Sequence, residues 1–186
     1  VFSDDEFRRM MFENQAAALN AGHSDHRGVG HSQANSSRHY LKGSYVLKML
    51  RYVVGDEEFR LGLQKYLKDH HYQNANTQDL IDAFHDTTGQ EIGWFIDQWV
   101  SKGGEPHLQV DFSINKKSGT YDLVVEQLQD TTPLVATFKM PVWVEVYFES
   151  GKKARKQFWL KNHKDTIQLE IKGKEKISYV LFDPNQ

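Results

Sequence analysis

At Gly103-Gly104-Glu105-Pro106 the hydrophobic period of this chain changes. Upstream, apolar residues recur every three or four positions, as on one face of a helix. Downstream they alternate with polar ones, as on a strand with one buried face. The joint is two glycines, a glutamate and a proline, a composition that interrupts both patterns. The expected organisation is therefore α+β as two segregated parts: an all-α subdomain over 1–103 and an antiparallel β-sandwich over 104–186.

Working back from the joint, Ile92 to Val100 predicts a short helix that turns Trp94, Phe95 and Trp99 inward. Thr77 is the expected cap of a helix over Gln78 to Asp86, with Leu80, Ile81 and Phe84 buried and Gly89 closing it. Asp56 is expected to cap a helix whose Phe59, Leu63, Tyr66 and Leu67 face the core. Another helix begins near Tyr40, carries Val46, Leu47, Leu50, Val53 and Val54 on one stripe, and stops at Gly55. The polar segment Ala21 to Ser37 has no period and reads as a loop. Ser3 and Glu6 stand at the capping-box spacing and start a helix that runs to about Leu19.

Forward from the joint, Leu108, Val110, Phe112 and Ile114 alternate, as do Tyr121, Leu123 and Val125. Val142, Val144, Val146 and Phe148 share one face of a strand that carries Trp143 and Tyr147 on the other. Glu149-Ser150-Gly151-Lys152 is a turn leading into a return strand, Ala154 to Leu160. Ile167, Leu169 and Ile171, then Ile177 to Phe182, supply the last two strands.

Composition removes several classes. A chain of 186 residues with 39% apolar content can build its core without staples. It has no cysteine, which excludes disulfide scaffolds, thiol catalysis, iron–sulfur clusters and sulfur-built zinc sites. The 23 Lys and Arg balance 25 Asp and Glu, so no nucleic-acid partner is expected. No apolar run approaches the length of a membrane span, and no membrane partner is expected. The start, Val1-Phe2-Ser3-Asp4-Asp5-Glu6, lacks the basic and apolar blocks of a signal peptide. With Val1 in place of Met, the expectation is a piece of a longer soluble chain, at home in cytosol or periplasm.

Seven of the nine histidines (His23, His26, His31, His39, His70, His71 and His85) precede the joint. His23, Asp25, His26 and His31 offer metal-ligand atoms within one loop, but their spacing matches no structural zinc pattern. They read as solvated. His70 and His71 are adjacent, so on a helix they point about 100° apart and cannot share a metal. They suit a helix end, where imidazole meets the negative end of the dipole. No G-x-S-x-G, G-x-G-x-x-G or H-E-x-x-H motif is present. Lys152-Lys153-Ala154-Arg155-Lys156 reads as a charged hairpin that blunts an edge strand. The pairs Trp94/Trp99 and Trp143/Trp159 read as core rather than as sugar-stacking platforms.

Arg38-His39-Tyr40-Leu41-Lys42-Gly43 leaves two readings open. Tyr40, at a helix mouth after a long loop, either anchors the helix start or projects its phenol into a cleft. There it would donate a hydrogen bond to an oxyanion. Lys42 suits a salt bridge, and Gly43 suits the close approach of another helix.

The run from Tyr40 through Arg51, Tyr-Leu-Lys-Gly-Ser-Tyr-Val-Leu-Lys-Met-Leu-Arg, resembles the Y-x-K-G-x-x-V-L-x-M-L segment of aminopeptidase-N-type zinc metallopeptidases, the gluzincin aminopeptidases. The likeness continues through Val54-Gly55-Asp56-Glu57-Glu58-Phe59, then Gly62-Leu63 with Tyr66-Leu67, then Asn74-Ala75-Asn76-Thr77 with Asp79-Leu80. It closes with Trp94-Phe95, Gln98-Trp99 and Gly104 with Pro106, agreeing in order and spacing over about Tyr40 to Val110.

The resemblance implies a thermolysin-like catalytic domain whose H-E-x-x-H and downstream Glu hold one zinc. It also implies a metal-bound water, activated by the motif's Glu, that attacks the first peptide bond of a substrate with a free N-terminus. Tyr40 occupies the position of the family's oxyanion donor. The zinc ligands, the general-base Glu and the acidic grip on the substrate amine would all precede Val1. This chain then contributes the end of the catalytic domain and the following sandwich, and alone it is expected to be inactive. Its helical half is expected to expose an apolar face where the missing part packs. The alternative is a non-catalytic scaffold or interaction module, with Trp143, Tyr147 and the Lys152–Lys156 hairpin as its surface.

Overall fold

The computed structural model describes residues 3–115, 120–130, 134–169 and 175–184, so Ile171 lies outside the described residues. It divides into two compact units, Val1–Glu105 and Pro106–Gln186.

In the first unit, α1 spans Asp4–Gly22, with Ser3 Oγ accepting the Glu6 N–H at 3.2 Å. Met11 and Ala18 are its buried hydrophobic positions. After a loop, a π-helical turn over Ser37–Lys42 runs directly into α2, Gly43–Val54. The helical path thus begins before Tyr40, not at it. Val46, Leu50 and Val54 form the buried stripe of α2, four residues apart, and Leu47 lies off it, exposed.

Next, α3 covers Asp56–Asp69. Asp56 does not cap it: its carboxylate instead accepts from Arg51 Nε at 2.7 Å. Leu67, expected in the core, is 66% exposed: α3 docks on its neighbour through Gly62, its buried position. That neighbour is α4, Thr77–Thr88, whose fully buried Phe84 lies on Gly62; a side chain there would stand 2.7 Å from the ring.

The cap of α4 is Asn76, one residue before the expected Thr77. Asn76 Oδ1 accepts from the N–H groups of Gln78 and Asp79 at 2.7 and 3.2 Å, and Asp79 Oδ2 accepts from the Asn76 N–H at 2.7 Å. This reciprocal box satisfies donors that the helix cannot pair internally. Asn76→Ala is expected to lower stability by about 1 kcal/mol, whereas Thr77→Ala changes it by less than about 0.5 kcal/mol. Urea unfolding of the two variants side by side checks this. Gly89 ends the helix at φ 68°, a left-handed turn that other residues adopt at a cost. The unit closes with α5, Gly93–Ile96, and a second π-helical turn, Asp97–Ser101, burying Ile92, Phe95, Ile96 and Trp99.

The second unit holds β1 (Leu108–Asn115), β2 (Thr120–Gln127), β3 (Met140–Phe148), β4 (Lys153–Leu160), β5 (Lys164–Leu169) and β6 (Ile177–Phe182). They form two three-stranded antiparallel sheets, β1-β2-β5 and β4-β3-β6. Leu123, Val125, Ile167 and Leu169 of the first sheet and Val142, Val144, Val146 and Leu160 of the second share one core. This is the expected sandwich. Buried Gln127 ties its end together: Nε2 donates to Phe138 O at 2.8 Å and Asn162 O at 3.1 Å, and Oε1 accepts the Phe138 N–H at 2.8 Å.

Two expectations change here. Val110 and Phe112 alternate as predicted, yet on the edge strand β1 both remain exposed. Trp143 and Trp159 lie outside the core, because their register places them on the face of β3 and β4 opposite Val142, Val144 and Leu160. The Arg155 guanidinium covers the Trp143 ring at 4.4 Å, and Trp159 is 38% exposed.

Candidate active site

The π-helical turn Ser37–Lys42 arranges three side chains by spacing alone. In a helical turn of about four residues, positions four apart share a face and the one midway points away. Arg38 and Lys42 therefore point inward together, and both are buried, at 0% and 6% exposure. Tyr40, midway between them, is 75% exposed. Short π-helical insertions recur at functional sites because they re-aim a side chain at the cost of regular bonding.

The inward face is a charge cluster. Glu105 Oε1 accepts from Arg38 Nη1 and, at 3.0 Å, from Lys42 Nζ. Arg38 spends its other donors on Arg27 O, from Nε at 3.2 Å and Nη2 at 2.8 Å, and Lys42 also donates to Gly104 O at 2.9 Å. Burial pushes the Lys42 ammonium below its ordinary range, Arg38 adds to this, and Glu105 opposes it. Among the described residues no buried side-chain nitrogen or oxygen lacks a partner. The salt bridge expected of Lys42 is present. Gly43 faces the loop residue Val29, not another helix.

The loop ahead of the turn is built on Asp25. Its Oδ2 accepts the Asn35 N–H at 2.9 Å and its Oδ1 the Arg27 N–H at 3.2 Å. The Asn35 bond, with Arg27 beside it, lowers the Asp25 pKa below its ordinary 3.8. A carboxylate depressed on folding stabilises fully above the unfolded value and loses that contribution as pH falls through the folded one. Asp25→Asn is therefore expected to flatten the fall in stability below about pH 4, read by urea unfolding at neutral and acid pH. Arg27 Nη1 also donates to Gln33 O at 2.6 Å, and His39 Nε2 to His31 O at 2.9 Å.

His23, His26 and His31 are exposed, and among the described residues no group of three or more His, Cys, Asp or Glu could hold a metal ion. His70 caps the end of α3, as its position suggested. On the strand unit, Tyr147 stacks on Tyr179 with centroids 4.4 Å apart and donates to Glu145 Oε2 at 2.8 Å, a bond that raises the phenol's pKa. No described helix is long and apolar enough to cross a membrane.

The periodic reading did not pair Arg38 with Glu105, 67 residues further on, or Asp25 with the Asn35 N–H, 10 residues on. The signal available was two cations flanking Tyr40 at equal distance.

Comparison with known proteins places this geometry. Residues 13–99, which hold the Asp25 loop, the turn and all of α2 to α4, match the Peptidase family M1 domain. Over those residues the helical unit is similar to peptidase family M1. Tricorn protease-interacting factor F2 of Thermoplasma acidophilum is 34% identical over 143 residues, covering 75% of this chain and 18% of that protein. Aminopeptidase N of Escherichia coli is 29% identical over 116 residues, 61% of this chain and 13% of its own length. The crystal structure of Legionella pneumophila aminopeptidase A in complex with aspartic acid shares the fold at TM-score 0.65 and 19% identity, over 84% of this chain and 19% of that one. The chain thus spans less than a fifth of the length of each of these relatives.

Proposed function

We propose that this chain forms the oxyanion-stabilising side of a zinc aminopeptidase cleft within a longer protein that removes N-terminal residues from peptides. On this reading residues 1–103 are the helical end of the catalytic domain and 104–186 the sandwich that follows. The supporting observation is Tyr40: exposed on a turn anchored from behind, inside the M1 match.

Family M1 peptidases are generally zinc-dependent, but the residues described here do not fit a zinc site. Its ligands, the general base and the acidic grip on the substrate amine are assigned to residues outside this sequence. What the chain itself supplies is a donor. As a nucleophile adds to the peptide carbonyl, charge collects on its oxygen, and a phenol O–H held in reach stabilises that charge more than the ground state.

The test uses the full-length protein on fluorogenic aminoacyl amides, with zinc, with a chelator, and with Tyr40→Phe. Turnover that the chelator abolishes, and that the variant greatly reduces, supports the reading. A folded, zinc-supplied protein without turnover replaces it with the non-catalytic scaffold, whose surface would be Trp143, Tyr147 and Lys152–Lys156.

A further inference from the structure

We infer that Glu105 is a positioning residue for Tyr40: by holding Arg38 and Lys42 on one side of the π-helical turn, its carboxylate sets where the phenol on the other side points. The inference rests on Tyr40 acting as the oxyanion donor.

The geometry behind it is a single shared atom. Glu105 Oε1 receives both cations, from residues 67 and 63 positions earlier in the chain. The remaining donors reach two different stretches of backbone, Arg27 O and Gly104 O. The turn is thereby tied at both of its ends, with Tyr40 between the ties. Without the carboxylate, two buried positive charges face each other with no counter-charge bonded to either. Such a pair relieves itself by releasing a proton from Lys42 or by swinging a cation toward water, and either response turns Tyr40. A donor aimed at an oxyanion acts over a narrow range of distance, and a displacement of about 1 Å costs roughly a hundredfold.

The test compares kcat and KM of the full-length protein carrying Glu105→Gln or Glu105→Asp, each with and without Tyr40→Phe. Glu105→Gln is expected to lower kcat roughly tenfold to a hundredfold, with Glu105→Asp between it and the wild type. On the Tyr40→Phe background it is expected to cost less than about twofold more, because the donor it positions is already gone. A loss of folded protein alone would multiply equally in both backgrounds. If Tyr40→Phe lowers kcat while Glu105→Gln does not, or if the two losses multiply, Glu105 does not position Tyr40. If Tyr40→Phe leaves kcat unchanged, the donor reading falls first and this inference with it. Should Glu105→Gln fail to fold, Glu105→Asp, which keeps the charge but shortens its reach, carries the same comparison.

Discussion

Replacing Tyr40 by phenylalanine in the full-length protein is expected to lower kcat by about a hundredfold to a thousandfold while leaving the fold intact. The size follows from the chemistry of an oxyanion donor, whose loss costs about 2.7–4 kcal/mol of transition-state stabilisation. The specificity follows from the structure. Tyr40 is exposed, so removing its hydroxyl empties no cavity, and stability is expected to move by less than about 0.5 kcal/mol. Because the bond strengthens only as charge develops, KM is expected to change far less than kcat. Steady-state kinetics on aminoacyl amides and a thermal melt of the same preparation check both halves. Unchanged kcat would leave the family assignment standing and remove Tyr40 from the chemistry.

Gly103→Ala is expected to cost about 3 kcal/mol or more, seen as a fall of roughly 10 °C in the melting temperature. A Cβ at Gly103 would overlap the His26 carbonyl oxygen, which is backbone and cannot rotate aside. Gly28 also packs on this stretch, its would-be Cβ 2.5 Å from Ser101 O, and the Gly30 N–H donates to Val100 O at 3.0 Å. The loop before the site therefore lies directly on the chain leading into the joint. Pushing His26 away also displaces Arg27, whose carbonyl holds Arg38, so activity is expected to fall with stability. Gly93→Ala serves as the control: nothing lies within 4 Å of its Cβ, and it is expected to be near neutral or slightly stabilising. Equal melting temperatures for the two variants would contradict the close approach.

Periodicity made the two-part architecture legible, since 3.6-residue and two-residue repeats cannot be mistaken over such lengths. It located α4 and its buried Phe84, and it placed Trp143 and Tyr147 on the opposite face of β3 from its valines. What it could not show were features settled by which partner a side chain takes once the chain has folded. Asp56 has the chemistry of a cap, but Arg51 was near enough to take it. Leu67 has the chemistry of the core, but the docking of α3 on α4 leaves it outside. Likewise, Ala21 to Ser37 has no period because its order comes from side chains bonding backbone, Asp25 above all, and such bonds follow no repeat. Tyr40 could be singled out from its motif; the Glu105 carboxylate beneath the turn could not, being a residue of the joint itself.

The separation between the turn and Glu105 has a consequence for the order in which the helical unit assembles. α3 and α4 meet as neighbours along the chain, so their pairing closes a short loop and forms early. The turn's two cations must wait for a carboxylate 67 and 63 residues further on. During synthesis they emerge long before their counter-charge and stay hydrated until it arrives. Amide exchange is expected to be faster around Ser37–Lys42 than around Leu50 and Phe84, fully buried in α2 and α4. Tyr40 is made early and seated late.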